Sequence, residues 1–200
     1  MNIYKQSEID EITNILKQGG VICVPTDTVY GLCGCINSEK VKQKLIEIKM
    51  RPSNKLFPIM CADIDQIKEI AVIDGKADKI IQNFIPGPIT LVLRKRANLP
   101  HYINNGKDTI AIRMATSKFL EELIKKVDCP VFMSSANKSG HPTCTNIEEI
   151  KLACPNLNGI VEGSVKFGMP STIVSCIENK IKIIRDGPIT LEQINNVVNN

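Results

Sequence analysis

The stretch VICVPTDTVYGL occupies residues 21–32 of the chain. Its first four residues are all apolar and predict a short buried strand. At Pro25 the strand gives way to two threonines, an aspartate and a tyrosine. Polar loops at strand ends are where α/β proteins commonly bind ligands. The stretch therefore predicts one strand of an α/β sheet and one wall of a ligand site. The alternative is a plain turn that Asp27 caps.

Helix and strand patterns alternate through the rest of the chain. The last two predicted strands form a hairpin, which a strictly parallel sheet would not contain. We therefore predict one α/β domain over residues 1–200, with a large, twisted, mixed sheet flanked by helices. Ser7 and Ser38 are the predicted N-caps of the first two helices. Predicted helices cover residues 7–18, 38–49, 65–71, 76–84, 118–127 and 147–153, and a last one opens with a capping box at 190–193; predicted strands cover 21–24, 57–61, 90–94, 109–114, 130–134, 171–176 and 180–185.

The overall composition is that of an ordinary globular protein. Apolar residues make up 43% of the 200 residues and charged residues 23%. The net charge of +4 permits an anionic ligand but is too small to indicate nucleic-acid binding by itself. Tryptophan is absent and aromatic residues are only 4%, which disfavours a base-stacking platform for single-stranded nucleic acid.

The chain carries no sequence signal for a membrane or for secretion. No apolar run approaches the roughly 20 residues that a membrane span needs, and the first residues lack a signal-peptide core. We therefore predict a cytoplasmic protein whose eight cysteines are mostly buried thiols. No C-x-x-C pair is present, so we predict no metal site; the sparse alternative is His141, Cys144 and Cys154.

The segment KMRPSNK, residues 49–55, places three cations close together in the sequence. If the chain is extended before Pro52, Lys49 and Arg51 point the same way, with Lys55 close by. Converging cations repel one another unless an anion lies between them, and a triphosphate would serve. The alternative is a solvated helix end, where cations suit the helix dipole.

A second polar segment, SSANKSGHPT, follows the strand predicted at 130–134. Its short hydroxyls, amide and glycine are typical of loops that hold phosphate oxygens with backbone N–H groups. It matches neither the Walker A pattern nor G-x-G-x-x-G, so an ordinary polar loop remains the alternative. Arg113 and Arg185 lie on predicted strands, where each is either a site residue or one polar residue on an exposed face.

Seven motifs occur in a fixed order along the chain. They are PTDTVYGL (25–32), K-x-R with a following lysine (49–55), PGPITLVL (86–93), TIAIR (109–113), SSANKSG (134–140), PSTIV (170–174) and IIRDGPIT (183–190). No single motif is diagnostic, but the ordered set resembles the YrdC-type threonylcarbamoyl-AMP synthases over roughly residues 8–195. The chain is similar to the short, single-domain form of that family.

The resemblance implies a twisted α/β fold around a large, positively charged, concave cavity. It also implies a nucleotidyltransferase that makes threonylcarbamoyl-AMP and pyrophosphate from L-threonine, bicarbonate or CO2, and ATP. The product then serves N6-threonylcarbamoyladenosine formation in tRNA, through a separate threonylcarbamoyl transferase complex. Mg2+ is expected to accompany the ATP. Because substrate oxygens and water supply most of its ligands, no cluster of metal-binding residues is required in the sequence.

The resemblance also assigns roles to particular residues. The residues implied to hold L-threonine are Thr28, Arg113 and Ser171. Those implied for ATP are Arg51, Lys55, Thr109, Ser135, Asn137, Thr143 and Arg185, and the implied catalytic cations are Lys49 and Arg51. The chain departs from the longer relatives at Met60, where they often have a histidine, so no threonine contact is expected there.

Two other functions fit the same resemblance. A module of this fold could bind RNA or a nucleotide without turnover, and such binding would weaken steeply with salt. A carbamoyl-transfer domain of the hydrogenase-maturation type shares the fold, but it is embedded in a far larger protein with zinc-finger segments. The ordered motif set favours the synthase.

Overall fold

One sheet of eleven strands runs through the computed structural model, which describes residues 1–199. The strands are β1 (Asn2–Tyr4), β2 (Ile22–Val24), β3 (Gly31–Cys35), β4 (Ile59–Cys61), β5 (Ala71–Val72), β6 (Ile89–Lys95), β7 (Thr109–Met114), β8 (Val131–Ser135), β9 (Gly159–Val161), β10 (Thr172–Ser175) and β11 (Lys182–Arg185). The helices are α1 (Ile9–Lys17), α2 (Glu39–Lys49), α3 (Ile64–Ile70), α4 (Gly75–Phe84), α5 (His101–Asn104), α6 (Lys118–Val127), α7 (Ile147–Ala153) and α8 (Leu191–Val198), with a 3-10 turn at Ile177–Asn179.

The sheet mixes parallel and antiparallel pairs. Its order is β1-β9-β2-β3-β8-β4-β7-β6-β10-β11, and β5 pairs with the end of β6. The pairs β1–β9, β9–β2, β4–β7 and β6–β10 are parallel, whereas the others are antiparallel. The predicted mixed α/β sheet is therefore confirmed, and so is the predicted hairpin of β10 and β11.

Apolar side chains cover the sheet on both faces. Along β2 they alternate: Cys23 belongs to one core, and Ile22 and Val24 belong to the other. Helices α2, α4 and α8 pack on the Cys23 side, and α1 and α6 pack on the opposite side. A strand that is buried on both faces reads as a continuous apolar run, which is why residues 21–24 show no polar alternation.

Several short elements were not predicted from the sequence: β1, β3, β5, β9 and α5. The omission of β3 has a clear physical reason, because its sequence GLCGC lacks the β-branched residues that mark strands. Gly31 allows a close approach to the neighbouring strand, since a Cβ there would lie 2.4 Å from the Met133 sulfur. The polar segment after β2 therefore ends at Gly31, where β3 begins.

The helix ends match the predictions only in part. The capping box of Thr190 and Gln193 is confirmed. The predicted Ser7 cap is wrong, because α1 begins at Ile9 after Glu8 and has no side-chain cap. Ser38 occupies the N-cap position of α2 but makes no capping hydrogen bond. The predicted domain includes Asn200, which lies outside the described residues.

The sheet brings together segments that are far apart in the sequence. Gly31 of β3 pairs with Ser135 of β8, and Met60 of β4 pairs with Arg113 of β7. Among residues 1–199, none of the helices is long and apolar enough to cross a membrane.

Candidate active site

A cavity of about 410 Å³ opens beside the central strands of the sheet. Its walls come from the loop after β2, the segment after α2, strands β6 to β8, and the start and end of the β10–β11 hairpin. Its charged lining residues are three arginines, and hydroxyl groups provide much of the remaining polar surface. Seven of the residues predicted for the site line it: Thr28, Arg51, Thr109, Arg113, Ser135, Ser171 and Arg185.

Arg113 is the most enclosed of these arginines, with only 6% of its surface exposed. One terminal nitrogen donates to Asp27 Oδ1 at 2.6 Å and to the carbonyl of Gly87 at 3.3 Å. The other terminal nitrogen donates to Thr28 Oγ1 at 2.9 Å. The expected alternative, an arginine on an exposed strand face, is therefore wrong. The ion pair joins β7 to the loop after β2.

Arg185 is a second arginine in the wall of the cavity. Its guanidinium donates to the backbone carbonyl of Ser171 at 2.7 and 3.1 Å and to Ser171 Oγ at 3.2 Å. Ser171 Oγ also lies 2.7 Å from Thr90 Oγ1. Burial lowers the pKa of Arg185, and the positive charge of Arg113 lowers it further. A positive charge that is disfavoured in this way would be stabilised by an anion in the cavity.

Arg51 lies at the third edge of the cavity, after α2. Its guanidinium donates to the carbonyls of Lys55 and Leu56 at 3.2 and 2.7 Å, and it lies 4.9 Å from the centre of the Phe57 ring. Burial lowers the pKa of Arg51 as well. The backbone and ring contacts fix the plane of this guanidinium, which leaves its remaining edge toward the cavity.

Lys49 does not point toward the same space as Arg51. Its side chain is 1% exposed, and its ammonium donates to the carbonyls of Ser135 and Asn137 at 2.5 and 2.9 Å and to Asn137 Oδ1 at 3.0 Å. The predicted convergence of three cations on one anion is therefore not the geometry found, and the alternative of a solvated helix end is wrong too. The pKa of Lys49 is lowered to about 8, mainly by burial and secondly by the positive charge of Arg51.

The loop after β8 is built around this lysine. Ser135 Oγ donates to Asn137 Oδ1 at 2.7 Å, and Asn137 Nδ2 donates to the carbonyl of His141 at 2.5 Å. The backbone N–H of Ser139 donates a hydrogen bond to the carbonyl of Lys49 at 2.7 Å. The side chain of Lys49 thus holds the segment that carries Ser135 into the cavity.

Three predicted site residues besides Lys49 lie away from the main cavity. Asn137 and Thr143 line a separate, shallower depression of about 550 Å³, beside Lys138, His141 and Leu152. Lys55 is exposed and lines neither space. The structure therefore brings together the residues predicted for threonine but divides those predicted for ATP between two neighbouring surfaces.

Three residues of the site were not singled out from the sequence. Asp27 was considered only as a turn cap, Thr26 was not distinguished from Thr28, and Thr90 was interpreted as part of a strand. Each is buried or nearly so and contacts a predicted site residue. The signal that was available was the density of hydroxyls and carboxylates at strand ends.

The cysteines do not form a metal site within residues 1–199. All eight are buried and free, so the prediction of buried thiols is confirmed. Cys144 lines the shallower depression beside His141, but no group of three or more His, Cys, Asp or Glu side chains in this part of the chain could hold an ion. Met60 is fully buried in the core, away from the lining of the cavity.

Comparison with known proteins identifies relatives across the whole fold. A family model for Sua5, YciO and YrdC, described as "Telomere recombination", matches residues 14–187. A putative threonylcarbamoyl-AMP synthase of Methanocaldococcus jannaschii is 32% identical over 97% of this chain and 95% of its own length. The threonylcarbamoyl-AMP synthase of Bacillus subtilis is also 32% identical, over 96% of this chain, but the match spans only 56% of that longer protein.

Solved structures give the same result. The structure of Pyrococcus abyssi Sua5 complexed with L-threonine matches 99% of this chain with a TM-score of 0.92 and 28% identity, and the match spans 61% of that protein. Escherichia coli YciO matches 97% of the chain with a TM-score of 0.87, but at 22% identity it supports the fold alone. From the family match and these relatives, we conclude that the chain belongs to the Sua5/YciO/YrdC family.

Proposed function

We propose that the chain is a threonylcarbamoyl-AMP synthase, a nucleotidyltransferase acting on L-threonine, bicarbonate or CO2, and ATP. The observation that carries the proposal is the cavity that Arg113, Thr28, Ser171, Arg185 and Arg51 enclose. It offers cationic and hydroxyl groups for a small zwitterion and for phosphates in one continuous space. The family includes proteins named for this activity, and a solved relative holds L-threonine.

The reaction needs little covalent help from the protein. The amine of L-threonine attacks the carbon of CO2 and loses a proton, which gives a carbamate. A carbamate oxygen then attacks the α-phosphorus of ATP, its bond to that phosphorus forms, and the bond to the pyrophosphate oxygen breaks. Positioning the reactants and neutralising the phosphate charge are the main tasks. A site of arginines and hydroxyls, without a nucleophile and its general base, suits that work.

The amino acid is assigned to the Arg113 side of the cavity. Arg113 binds the carboxylate of L-threonine, with Thr28 and Ser171 beside it. Asp27 holds the guanidinium by the ion pair of 2.6 Å, so the arginine is oriented before the ligand arrives. A buried arginine that is paired on one edge presents its other donors in a fixed geometry.

The nucleotide is assigned to the Arg51 and Arg185 side. Burial lowers the pKa of both arginines, because it disfavours their positive charge. A bound phosphate would stabilise that charge. Thr109 and Ser135 line the same space. Asn137 and Thr143 are assigned to the end of the nucleotide that reaches the neighbouring depression, and Lys55 to phosphates at the mouth of the cavity.

Lys49 is assigned a positioning role. Its ammonium holds the backbone of Ser135 and Asn137 instead of contacting a ligand. We therefore place it among the residues that shape the site, and Arg51 among those that contact phosphate.

Mg2+ is proposed to enter with ATP. The donors present are hydroxyls and the Oδ2 atom of Asp27, a buried oxygen without a hydrogen-bond partner. They do not form a carboxylate cage, but they fit an ion that keeps its waters and is held mainly by substrate phosphates. When bound, the ion would neutralise phosphate charge.

The cellular partners follow from the product. Threonylcarbamoyl-AMP is an unstable mixed anhydride, so a threonylcarbamoyl transferase complex that modifies tRNA must collect it. Direct tRNA binding would assist this transfer. On this proposal the chain works in the cytoplasm, where ATP and tRNA are both present.

Pyrophosphate release tests the proposed function directly. The purified chain should release pyrophosphate from ATP only when L-threonine and bicarbonate are both present, because the carbamate is the nucleophile. An enzyme-coupled pyrophosphate assay measures the release. The control omits each substrate in turn. Nucleotide or RNA binding without any release would support the binding module instead.

Arg51→Ala should reduce pyrophosphate release by at least about a hundredfold, as the loss of one donor to a developing charge does in other enzymes. The fold should remain, since few packing contacts depend on a guanidinium at a cavity edge. Arg94→Ala is the matched control, because Arg94 pairs with Asp74 on the surface and does not line the cavity. Equal turnover in the two variants would refute the phosphate assignment.

Lys49→Met should lower both turnover and stability. It leaves the carbonyls of Ser135 and Asn137 without a donor, which costs about 1–3 kcal/mol for a buried acceptor. Urea unfolding measures the stability, and the pyrophosphate assay measures the turnover. Lys44→Met is the control, because Lys44 lies on the same helix but is exposed. A Lys49→Met variant with wild-type turnover would show that the loop needs no ammonium.

A further inference from the structure

The backbone turn at residues 52–55 holds the guanidinium of Arg51. The carbonyls of Lys55 and Leu56 accept hydrogen bonds from it at 3.2 and 2.7 Å. All four residues of the turn are exposed, so little packing fixes the turn itself. The orientation of Arg51 in the cavity wall therefore depends on the contacts that keep this turn in place.

A side chain from a distant part of the sequence is hydrogen-bonded to this turn. Asn105, at the end of α5, donates from Nδ2 to the carbonyl of Ser53 at 2.8 Å. Within residues 1–199, and apart from Arg51, no other side chain outside the turn hydrogen-bonds to residues 52–55. The Asn105–Ser53 hydrogen bond is therefore the polar contact that joins the turn to the rest of the fold.

The orientation of the Asn105 amide is fixed from both sides. Its Oδ1 lies 2.5 Å from the ammonium of Lys42, a buried residue of α2. An ammonium only donates hydrogen bonds, and a carbonyl only accepts them. Lys42 must therefore face the amide oxygen, and Ser53 must face the amide nitrogen. The reverse orientation would place a donor against a donor and an acceptor against an acceptor.

Helix α5 is itself attached to its neighbours. Lys42 also donates to the carbonyl of Tyr102 at 2.5 Å, and the Tyr102 hydroxyl donates to the carbonyl of Ile36 at 2.8 Å. Asn104, which is buried, donates to the carbonyl of Thr109 at 3.0 Å, at the start of β7. The Asn105–Ser53 hydrogen bond therefore joins an exposed turn to a fixed part of the fold.

The backbone at Asn105 determines which substitutions are informative. Its φ of 55° and ψ of 37° are left-handed, a conformation that Gly, Asn and Asp adopt more readily than other residues. Asn105→Gly removes the amide without straining the backbone. Asn105→Asp keeps an oxygen for Lys42 but has no donor for Ser53.

We propose that Asn105 is a positioning residue for the phosphate side of the cavity. It holds the turn at 52–55, the turn holds the guanidinium of Arg51, and Arg51 contacts the phosphates of ATP. Lys42 supports this arrangement by orienting the Asn105 amide. The inference rests on the proposed function, because it needs a phosphate at Arg51. It adds two residues that do not line the cavity.

Isothermal titration with Mg2+-ATP and, separately, with L-threonine tests this role. Asn105→Gly and Asn105→Asp should each weaken ATP binding about two- to tenfold, the range that one hydrogen bond provides. L-threonine binding should stay unchanged, because the residues assigned to it do not belong to the turn. Asn83→Asp is the matched control: Asn83 also donates to a backbone carbonyl, that of Lys79, but is exposed on α4 and does not line the cavity.

Limited proteolysis tests the turn without any ligand. Trypsin can cleave after Lys55 but not after Arg51, because Pro52 follows Arg51. Cleavage after Lys55, measured by mass spectrometry, should be faster in both Asn105 variants than in the wild type and in Asn83→Asp. Lys42→Met should give a smaller increase, because the amide keeps its donor but is no longer oriented. Thermal unfolding checks that each variant is folded.

Four results would overturn the inference. Unchanged ATP affinity in both Asn105 variants would mean that Arg51 does not depend on the turn. A loss in only one of them would assign the effect to the added charge or to the missing side chain. Equal losses for ATP and L-threonine would make Asn105 a general structural residue, and unchanged cleavage after Lys55 would mean that Asn105 does not hold the turn. If the wild-type protein bound neither ligand, the proposed function would fail and the role toward ATP with it, whereas the cleavage rate would still decide whether Asn105 holds the turn.

Discussion

The buried ion pair between Arg113 and Asp27 is the constraint on which the site depends. A guanidinium that is almost fully removed from water is costly unless it is paired and hydrogen-bonded. Here the loop after β2 supplies both partners, the carboxylate of Asp27 and the hydroxyl of Thr28. The pair therefore fixes that loop against β7, although β3, β8 and β4 lie between β2 and β7 in the sheet. The position of the cavity wall follows from this contact.

A second buried cation organises the other end of the site. The Lys49 ammonium holds the backbone after β8 in place through three acceptors. The chain thus uses its basic residues in two ways. Arg113 and Lys49 satisfy most of their hydrogen bonds within the protein and shape the walls. Arg51 and Arg185 are anchored on one edge only, and burial lowers the pKa of each, so they are the cations best placed to meet the phosphates of a nucleotide.

Sequence patterns identified the sheet, most helices and the segments that form the cavity, because apolar runs and polar strand ends are local signals. They failed where contacts between residues that are distant in the sequence determine the burial of a side chain or the formation of a strand. Arg113 alternates with apolar residues and could equally face solvent; its burial depends on a sheet that is covered on both faces. Lys49 ends an amphipathic helix, and nothing local indicates that the loop after β8 covers it. Strand β3 has too many small residues to be recognised, and close packing of Gly31 against Met133 and of Gly34 against Val41 accounts for its two glycines.

A crystal structure with L-threonine and a non-hydrolysable ATP analogue tests the central claim most directly. The claim is that one cavity holds both substrates, with the amino acid at Arg113 and the phosphates at Arg51 and Arg185. The expected result is density for threonine within hydrogen-bonding distance of Thr28, and for the triphosphate between the other two arginines. Threonine bound away from Arg113, or a nucleotide confined to the depression beside His141, would contradict it.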